Sequence, residues 1–415
     1  MGQFEPGGRR RRAVITGIGI VSALGADRES TWSGVAAGHC AIGPITGIDT
    51  RGYRTQTGAQ AWDFDATRHF TRRELRLMSR VDALAVTSAR EAWTDSDARR
   101  AQSPAPAERI AVILGAGAGG MCSAEAFRRA DRTTGTARAR LLLPFPSSSA
   151  TDHVACELGA LGPRTTIVTA CSSSATAIGY GLDWIRDDIA DIVIVGGAEA
   201  LCEVTYGGFN SLRAVDADRC RPFDARRRGM SLGECGAILV LEELSMARQR
   251  GARIYAEVLG YATSCDAHHM TAPHPEGQGA ALTMLRSLQD AGLTHTAVGY
   301  INGHGTGTPH NDKAETAAIK AVFGERAYEI PVSSTKSQVG HCLGAAGGIE
   351  AAVVALALQR GVTPSTVGYE QRDPDCDLDY VPDPGRALRC QVALSSSFAF
   401  GGNNTCLVLG KADRP

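Results

Sequence analysis

The chain is short of lysine: among its 43 basic residues only Lys313, Lys320, Lys336 and Lys411 are lysines, and the rest are arginines. Where arginine is the default cation, a lysine in a chemically loaded segment stands out for its compact ammonium. Aromatic residues are also scarce, at 6% of 415, which with abundant glycine and alanine suits closely packed α/β layers. The net charge is −1, so no global field favours nucleic acid or an anionic membrane surface. No apolar run approaches the roughly 18 residues needed to span a bilayer. The 12 cysteines include no C-x-x-C pair, which argues against structural zinc. The N-terminal MGQFEPGGRRRR has arginines but no apolar segment behind them, and Pro6 breaks the myristoylation pattern. Residues 1–12 are therefore expected to be a disordered lead-in, and the thiols to be reduced in a cytoplasmic setting.

What is present is a recurrence of short apolar runs, at 13–21, 110–114, 165–169, 191–195, 237–241, 254–259, 298–301, 391–394 and 405–409. Helical patterns at 75–93, 174–187, 279–291 and 348–359 lie between several of them. Strands apolar on both faces that alternate with helices predict an α/β protein with buried sheets. No linker divides the chain, and a hinge between halves falls best near Arg250–Arg253.

The most informative stretch is TIVTACSSSATAIGYG, residues 166–181, where Cys171 sits in small residues between an apolar strand and a helical pattern. A strand-to-helix turn gathers free backbone N–H groups, which together with the helix dipole favour a nucleophilic thiolate. It is the sulfur counterpart of a serine nucleophile elbow. Two further segments carry chemistry. YINGHGTGTPHND places His304 among glycines and threonines after an apolar strand, and SSTKSQVGHCLGAAGG places Lys336 and His341 in a loop that opens a small-residue helix. A nucleophile, two imidazoles and a fixed cation suffice for thioester chemistry. GAGAGG at 115–120 has the G-x-G-x-x-G form, but no acidic residue follows at the end of a second strand about 20 residues on, as a dinucleotide site expects. The three histidines of AHHMTAPH, 267–274, fit no zinc spacing.

ACSSS, NGHGTGTP, STKSQVGHCLGAAGG and SFAFGGNN resemble, in order and spacing, the motifs of elongating β-ketoacyl synthases of type II fatty-acid and polyketide synthesis. VITGIGIVSALG, CRPFDARRRGMSLGECGAILVLEE and TSCDAHHMTAP extend the likeness over nearly the whole chain. The resemblance implies a thiolase-like fold of two similar halves in α-β-α-β-α layers, with 13–252 carrying the cysteine and 253–412 the histidines and lysine. It implies a decarboxylative Claisen condensation, in which malonyl carrier protein extends an acyl group held on Cys171. The backbone N–H groups of Cys171 and Phe400 would form an oxyanion hole, His304 and His341 would donate to the malonyl thioester oxygen, and Lys336 with Glu350 would tune the site. Glu315 would fix the His304 loop, and Thr306 and Thr308 would meet the pantetheine amides. Residues 397–404 would be a mobile gate, although Ala399 and Asn403 depart from the commoner family string. An acidic acyl carrier protein would dock on Arg72, Arg73 and Arg76, which match a basic helix start, and on Arg213. No cofactor or metal is implied beyond the carrier's phosphopantetheine.

A cysteine hydrolase needs one histidine and leaves the second histidine and Lys336 unexplained. Thiolases use a second cysteine, for which Cys342 is a weak candidate, and starter-type synthases carry Asn where this chain has His341. In aromatic and polyene systems a similar subunit without the cysteine controls chain length; Cys171 marks this chain as the active member. Its partner is then a second copy or such a subunit. ACSSSATAIGYG and SSSFAF lean toward a type II polyketide synthase over housekeeping fatty-acid elongation.

Overall fold

Nine-residue strands such as AVITGIGIV and CGAILVLEE are buried along their whole length, so both faces must be covered by other layers. The computed structural model describes residues 10–98 and 105–413. Its main sheet has ten strands, β1 Ala13–Val21, β2 Ile110–Gly115, β3 Arg164–Ile167, β4 Ile192–Glu199, β5 Cys235–Glu243, β6 Ala256–Cys265, β7 Val298–Asn302, β8 Val332–Ser333, β9 Val392–Phe398 and β10 Asn403–Gly410. Across the sheet they run β8-β7-β9-β10-β6-β1-β5-β4-β2-β3. From the centre outward each half repeats one scheme: two antiparallel pairings, then two parallel ones. The halves join where Ala13–Ile15 of β1 pairs antiparallel with Ala256–Val258 of β6.

Helices supply the remaining layers. α1 (Arg80–Ser96) covers β1 and β5 on the outside of the first half; α3 (Gln278–Asp290) and α4 (Pro309–Phe323) pack together outside the second. Between the halves lie α2 (Ser173–Arg186) and α5 (Ala346–Arg360), which touch each other and strands of both halves. The result is the expected α-β-α-β-α layering. α2 and α5 are also related in detail. Each follows a 3-10 turn, Ala170–Ser172 or Leu343–Ala345, whose first residue has positive φ, +53° at Ala170 and +46° at Leu343. A β-carbon on Gly347 would lie 2.6 Å from the backbone nitrogen of Ala175, so glycine permits this close helix approach.

The apolar runs became strands, and three helical patterns lie within two residues of α2, α3 and α5. The fourth differs. The helix expected at 75–93 begins at Arg80, because Ser79 and Asp82 form a reciprocal capping box there. Arg72, Arg73 and Arg76 consequently lie on an exposed turn ahead of the helix, not on its start. The two-residue strand β8 is too short to leave a periodic signal.

Of the lead-in, residues 1–9 lie outside the described residues; Arg11 bonds Asp191 at 2.5 Å and Arg12 bonds Glu257 at 2.6 Å. Among the described residues one stretch, Leu343–Arg360, is long and apolar enough to cross a bilayer, and it is 89% buried as the core helix α5 with its preceding turn.

Gly347→Ala should force α2 and α5 apart. Overpacking of this kind costs roughly 1–3 kcal/mol, and calorimetry should show a lower Tm with unchanged secondary structure by circular dichroism.

Candidate active site

Cys171 is the middle residue of the 3-10 turn between β3 and α2 and is 6% exposed. It opens on a cavity of about 480 Å³ whose walls include His304, His341, Phe398, Phe400, Thr306 and Thr308. The nucleophile comes from one half of the sheet and the histidines from the other, so the site exists only where the halves meet. The backbone N–H of Phe400 donates to the Cys171 sulfur.

The expectation of a resting thiolate is corrected by the structure. Burial pushes the Cys171 thiol up to about 11, against the opposing pull of Lys336 and the Phe400 N–H. α2 begins two residues after the cysteine, and removal from water outweighs the favourable dipole.

Lys336 and Glu350 form an ion pair with side chains only 2% and 1% exposed. The same ammonium lies 3.2 Å from Nδ1 of His304. An ammonium has no lone pair, so Nδ1 accepts and the ring proton sits on Nε2. At His341, Nδ1 accepts from the Leu343 N–H at 3.2 Å, which leaves Nε2 as the protonated nitrogen there too. Nε2 of His341 is buried without a protein partner among the described residues. Burial and the Lys336 charge hold both imidazoles well below their ordinary value, so both are neutral. The rings stand edge-to-face with centroids 5.3 Å apart.

Buried carboxylates shape the loops that carry these groups. Glu315 on α4 accepts from the N–H groups of His304 and Gly305 at 2.7 and 2.8 Å. Asp312, one turn earlier, accepts from Thr306, Gly307 and Phe223. Glu199 at the end of β4 accepts from Gly117, Ala118 and Gly344. Burial pushes Glu199 and Glu315 up to about 7. Sequence reasoning found Glu315 but missed Asp312 and Glu199. The adjacency of Asp312 to Glu315 in DKAE was the available signal for the first; no local signal marks the second. Glu199 also explains GAGAGG, since the N–H groups of Gly117 and Ala118 are committed to this carboxylate.

Thr306 and Thr308 line the cavity and bond each other through their hydroxyls at 2.8 Å. Arg213 reaches the cavity wall, as does Arg228, which sequence reasoning did not single out; Arg72, Arg73 and Arg76 are absent from that wall. Of AHHMTAPH, His269 and Thr271–Pro273 line the cavity. The Phe400 ring stacks on Phe209 at 5.8 Å. Its loop is tied to 266–274: Gly401 donates to the Met270 carbonyl at 2.8 Å and Asn404 to Asp266 at 2.6 Å. Gly401 and Gly402 have φ of +81° and +75°, the left-handed conformation for which glycine suits this turn. Cys342, the candidate second cysteine of a thiolase, is packed in the hydrophobic core and does not line the cavity.

Family models described as the N-terminal and C-terminal domains of β-ketoacyl synthase match residues 10–247 and 255–370. The chain belongs to the β-ketoacyl synthase family. This β-ketoacyl synthase is 41% identical to a 3-oxoacyl-[acyl-carrier-protein] synthase 2 of Synechocystis sp., over 97% of this chain and 98% of the relative. Among solved structures it is similar to the ishigamide ketosynthase/chain length factor, with a TM-score of 0.91 and 37% identity over 97% of this chain and 100% of that one. It is also similar to a type II polyketide ketosynthase solved with its acyl carrier protein and a bound hexaketide, at a TM-score of 0.87, 30% identity and the same coverages.

With the thiol near 11, the rate of iodoacetamide alkylation at Cys171 should rise about tenfold per pH unit between about pH 7 and pH 10. Lys336→Ala removes the cation that lowers this pKa and should slow alkylation at every pH in that range. A plateau near pH 8 in the wild type would contradict the assignment; peptide mass mapping isolates Cys171 from the other thiols.

Proposed function

We propose that this chain is the condensing subunit that extends an acyl group with malonyl-acyl carrier protein, and that it works in a type II polyketide pathway. The carrying observation is the meeting in one cavity of a cysteine thiol with two neutral imidazoles that both carry their proton on Nε2. In the first half-reaction the Cys171 sulfur attacks the acyl thioester, its proton leaves with the carrier's pantetheine thiol, and the Phe400 N–H stabilises the oxyanion. In the second, malonyl thioester loses carbon dioxide and its carbonyl oxygen becomes an enolate. His304 and His341 donate to that oxygen through Nε2–H, a role that neutral rings fill without needing deprotonation. The enolate carbon attacks the Cys171 thioester, the thiolate is expelled and regains a proton, and a 3-oxoacyl carrier protein leaves. Lys336 is a positioning residue: it fixes the His304 tautomer and, together with burial, keeps both rings uncharged.

The two threonines beside the cavity present hydroxyls suited to pantetheine amides. Arg213 at the wall, and Arg72, Arg73 and Arg76 on their exposed turn, are the groups we assign to the acidic carrier protein. For the partner, a chain-length-factor-like subunit accords with the polyketide pathway, and a second copy with fatty-acid elongation. The 37% identity to the ishigamide ketosynthase/chain length factor supports the former, and the 41% identity to a 3-oxoacyl-[acyl-carrier-protein] synthase 2 supports the latter as a second reading.

Intact-mass analysis after incubation with saturated, 2-enoyl and polyenoyl carrier proteins should show an acyl adduct on wild type and none on Cys171→Ala. His304→Ala should acylate yet fail to release carbon dioxide from malonyl carrier protein, with a loss of about a hundredfold or more. Loading of unsaturated chains supports the polyketide pathway, and loading of saturated chains alone supports fatty-acid elongation. No adduct with any carrier would overturn the condensing activity itself.

A further inference from the structure

The lining of the Cys171 cavity passes from buried to exposed residues. Cys171, His304, His341 and Thr306 are buried, Thr308 is half-buried, and Arg213 and Arg228 on the same wall are exposed. The thiol therefore lies at the inner end and the two arginines at the rim. Backbone pairing sets them side by side. Val215 and Met230 form a parallel bridge, in which Met230 donates to the Ala214 carbonyl at 2.9 Å and Asp216 to the Met230 carbonyl at 2.8 Å. Arg213 lies two residues before Val215 and Arg228 two before Met230, so they hold matching positions on adjacent segments. Gly229 permits the close approach, since a β-carbon there would lie 2.6 Å from the Asp216 nitrogen. The Gly229 N–H also donates to the Gly307 carbonyl at 3.0 Å, which stitches Arg228 to the loop carrying Thr306 and Thr308.

Two like charges at matching positions repel each other, and the protein supplies these two with no counter-ion. Of the three consecutive arginines 226–228, Arg226 pairs with Asp224 and Glu370, and Arg227 with Asp373. Arg228, the one on the cavity wall, has no side-chain partner among the described residues, and neither has Arg213. The acidic residue of that wall, Asp266, is occupied elsewhere: its carboxylate accepts from the Asn404 amide at 2.6 Å and the His274 N–H at 3.2 Å.

We propose that Arg228, with Arg213 beside it, is an anion subsite that binds the phosphate at the far end of a pantetheine arm while the thioester reaches Cys171. This rests on the reading of the cavity as the channel for that arm. Between thioester and phosphate the arm is uncharged, with amides for the threonine hydroxyls, so its charged group falls at the rim. A guanidinium offers a planar fork of N–H donors that matches two phosphate oxygens, and two such forks without internal acids fit an anion. Arg228 is thus a specificity residue, selecting phosphorylated arms over dephosphorylated ones. The same phosphate chemistry is offered by the carrier protein's phosphopantetheine and by coenzyme A.

The test uses S-methyl thioethers of pantetheine, of phosphopantetheine and of coenzyme A, and carrier protein S-methylated on its arm, none of which can acylate Cys171. Each is titrated against the full chain while iodoacetamide alkylation of Cys171 is followed by peptide mass mapping. The phosphopantetheine thioether should half-protect Cys171 at a concentration about tenfold below that of the pantetheine thioether. Arg228→Ala should shrink this ratio, the double variant Arg213→Ala with Arg228→Ala should bring it to about one, and Arg228→Lys should retain part of it. Added salt should shrink it in the wild type. Better protection by the methylated carrier than by the coenzyme A thioether assigns the subsite to the carrier's arm, and the reverse assigns it to free coenzyme A esters. No preference of the wild type for phosphopantetheine over pantetheine would overturn the proposal, as would a preference that survives the double variant. Because protection needs no turnover, a failed subsite is told apart from a failed condensing activity, which the acyl adduct on Cys171 reports separately.

Discussion

The buried contact between Lys336 and Glu350 sets the electrostatics of everything around it. Taking two charges out of water costs several kcal/mol each, and their attraction offsets this only where the geometry is close and the remaining donors are used. Here the carboxylate stands on the core helix α5, so the ammonium is fixed by the most deeply packed element of the fold. That one cation then acts three times. It donates to Nδ1 of His304 and so places the ring proton on Nε2. Its field adds to burial in keeping both imidazoles neutral. It also draws the Cys171 thiol down against the effect of burial. An arginine would present a planar fork where a point charge is needed, which gives a physical reason for lysine in a chain that otherwise prefers arginine.

The duplicated sheet explains why such a site can be assembled at all. Each half offers the same device, a 3-10 turn with a left-handed first residue leading into a central helix, and the two central helices lie against one another. One turn presents Cys171. The other carries Leu343, whose N–H orients His341. Around them, buried carboxylates replace water as acceptors for loop N–H groups: Asp312 and Glu315 for the 304–307 segment, Glu199 for the two turns it bridges. A buried N–H without an acceptor is costly, so these acids hold irregular backbone in place inside the protein.

Much of this was legible locally and some of it was not. Strands apolar on both faces announced buried sheets, and Cys171, His304, Lys336 and His341 stood out because reactive side chains were embedded in small residues at strand ends. The internal repeat left no trace in residue identities, yet strand order and the paired turns preserve it, because topology constrains packing more tightly than it constrains side chains. Glu199 was invisible because its partners lie about 80 and 145 positions away in sequence and are backbone groups, which carry no residue signature. G-x-G-x-x-G misled for the same reason: glycines that free backbone N–H groups serve a protein carboxylate as readily as a phosphate. The start of α1 was misplaced because apolar periodicity begins before the Ser79–Asp82 cap that fixes the helix end.

The raised thiol and the lowered imidazoles are one effect seen from two sides. A cavity shielded from water disfavours whichever form is charged, so the acid keeps its proton and the bases stay without theirs. At rest Lys336 and Glu350 place two opposite charges beside the reacting groups, and these neutralise each other. The Nε2–H groups of His304 and His341 and the Phe400 N–H are therefore preorganised donors at the cavity wall. An oxyanion or enolate formed there meets these donors in surroundings where a hydrogen bond is worth more than in water. The arrangement thus stabilises charge that arises during reaction more than charge present beforehand, and that difference is what lowers a barrier.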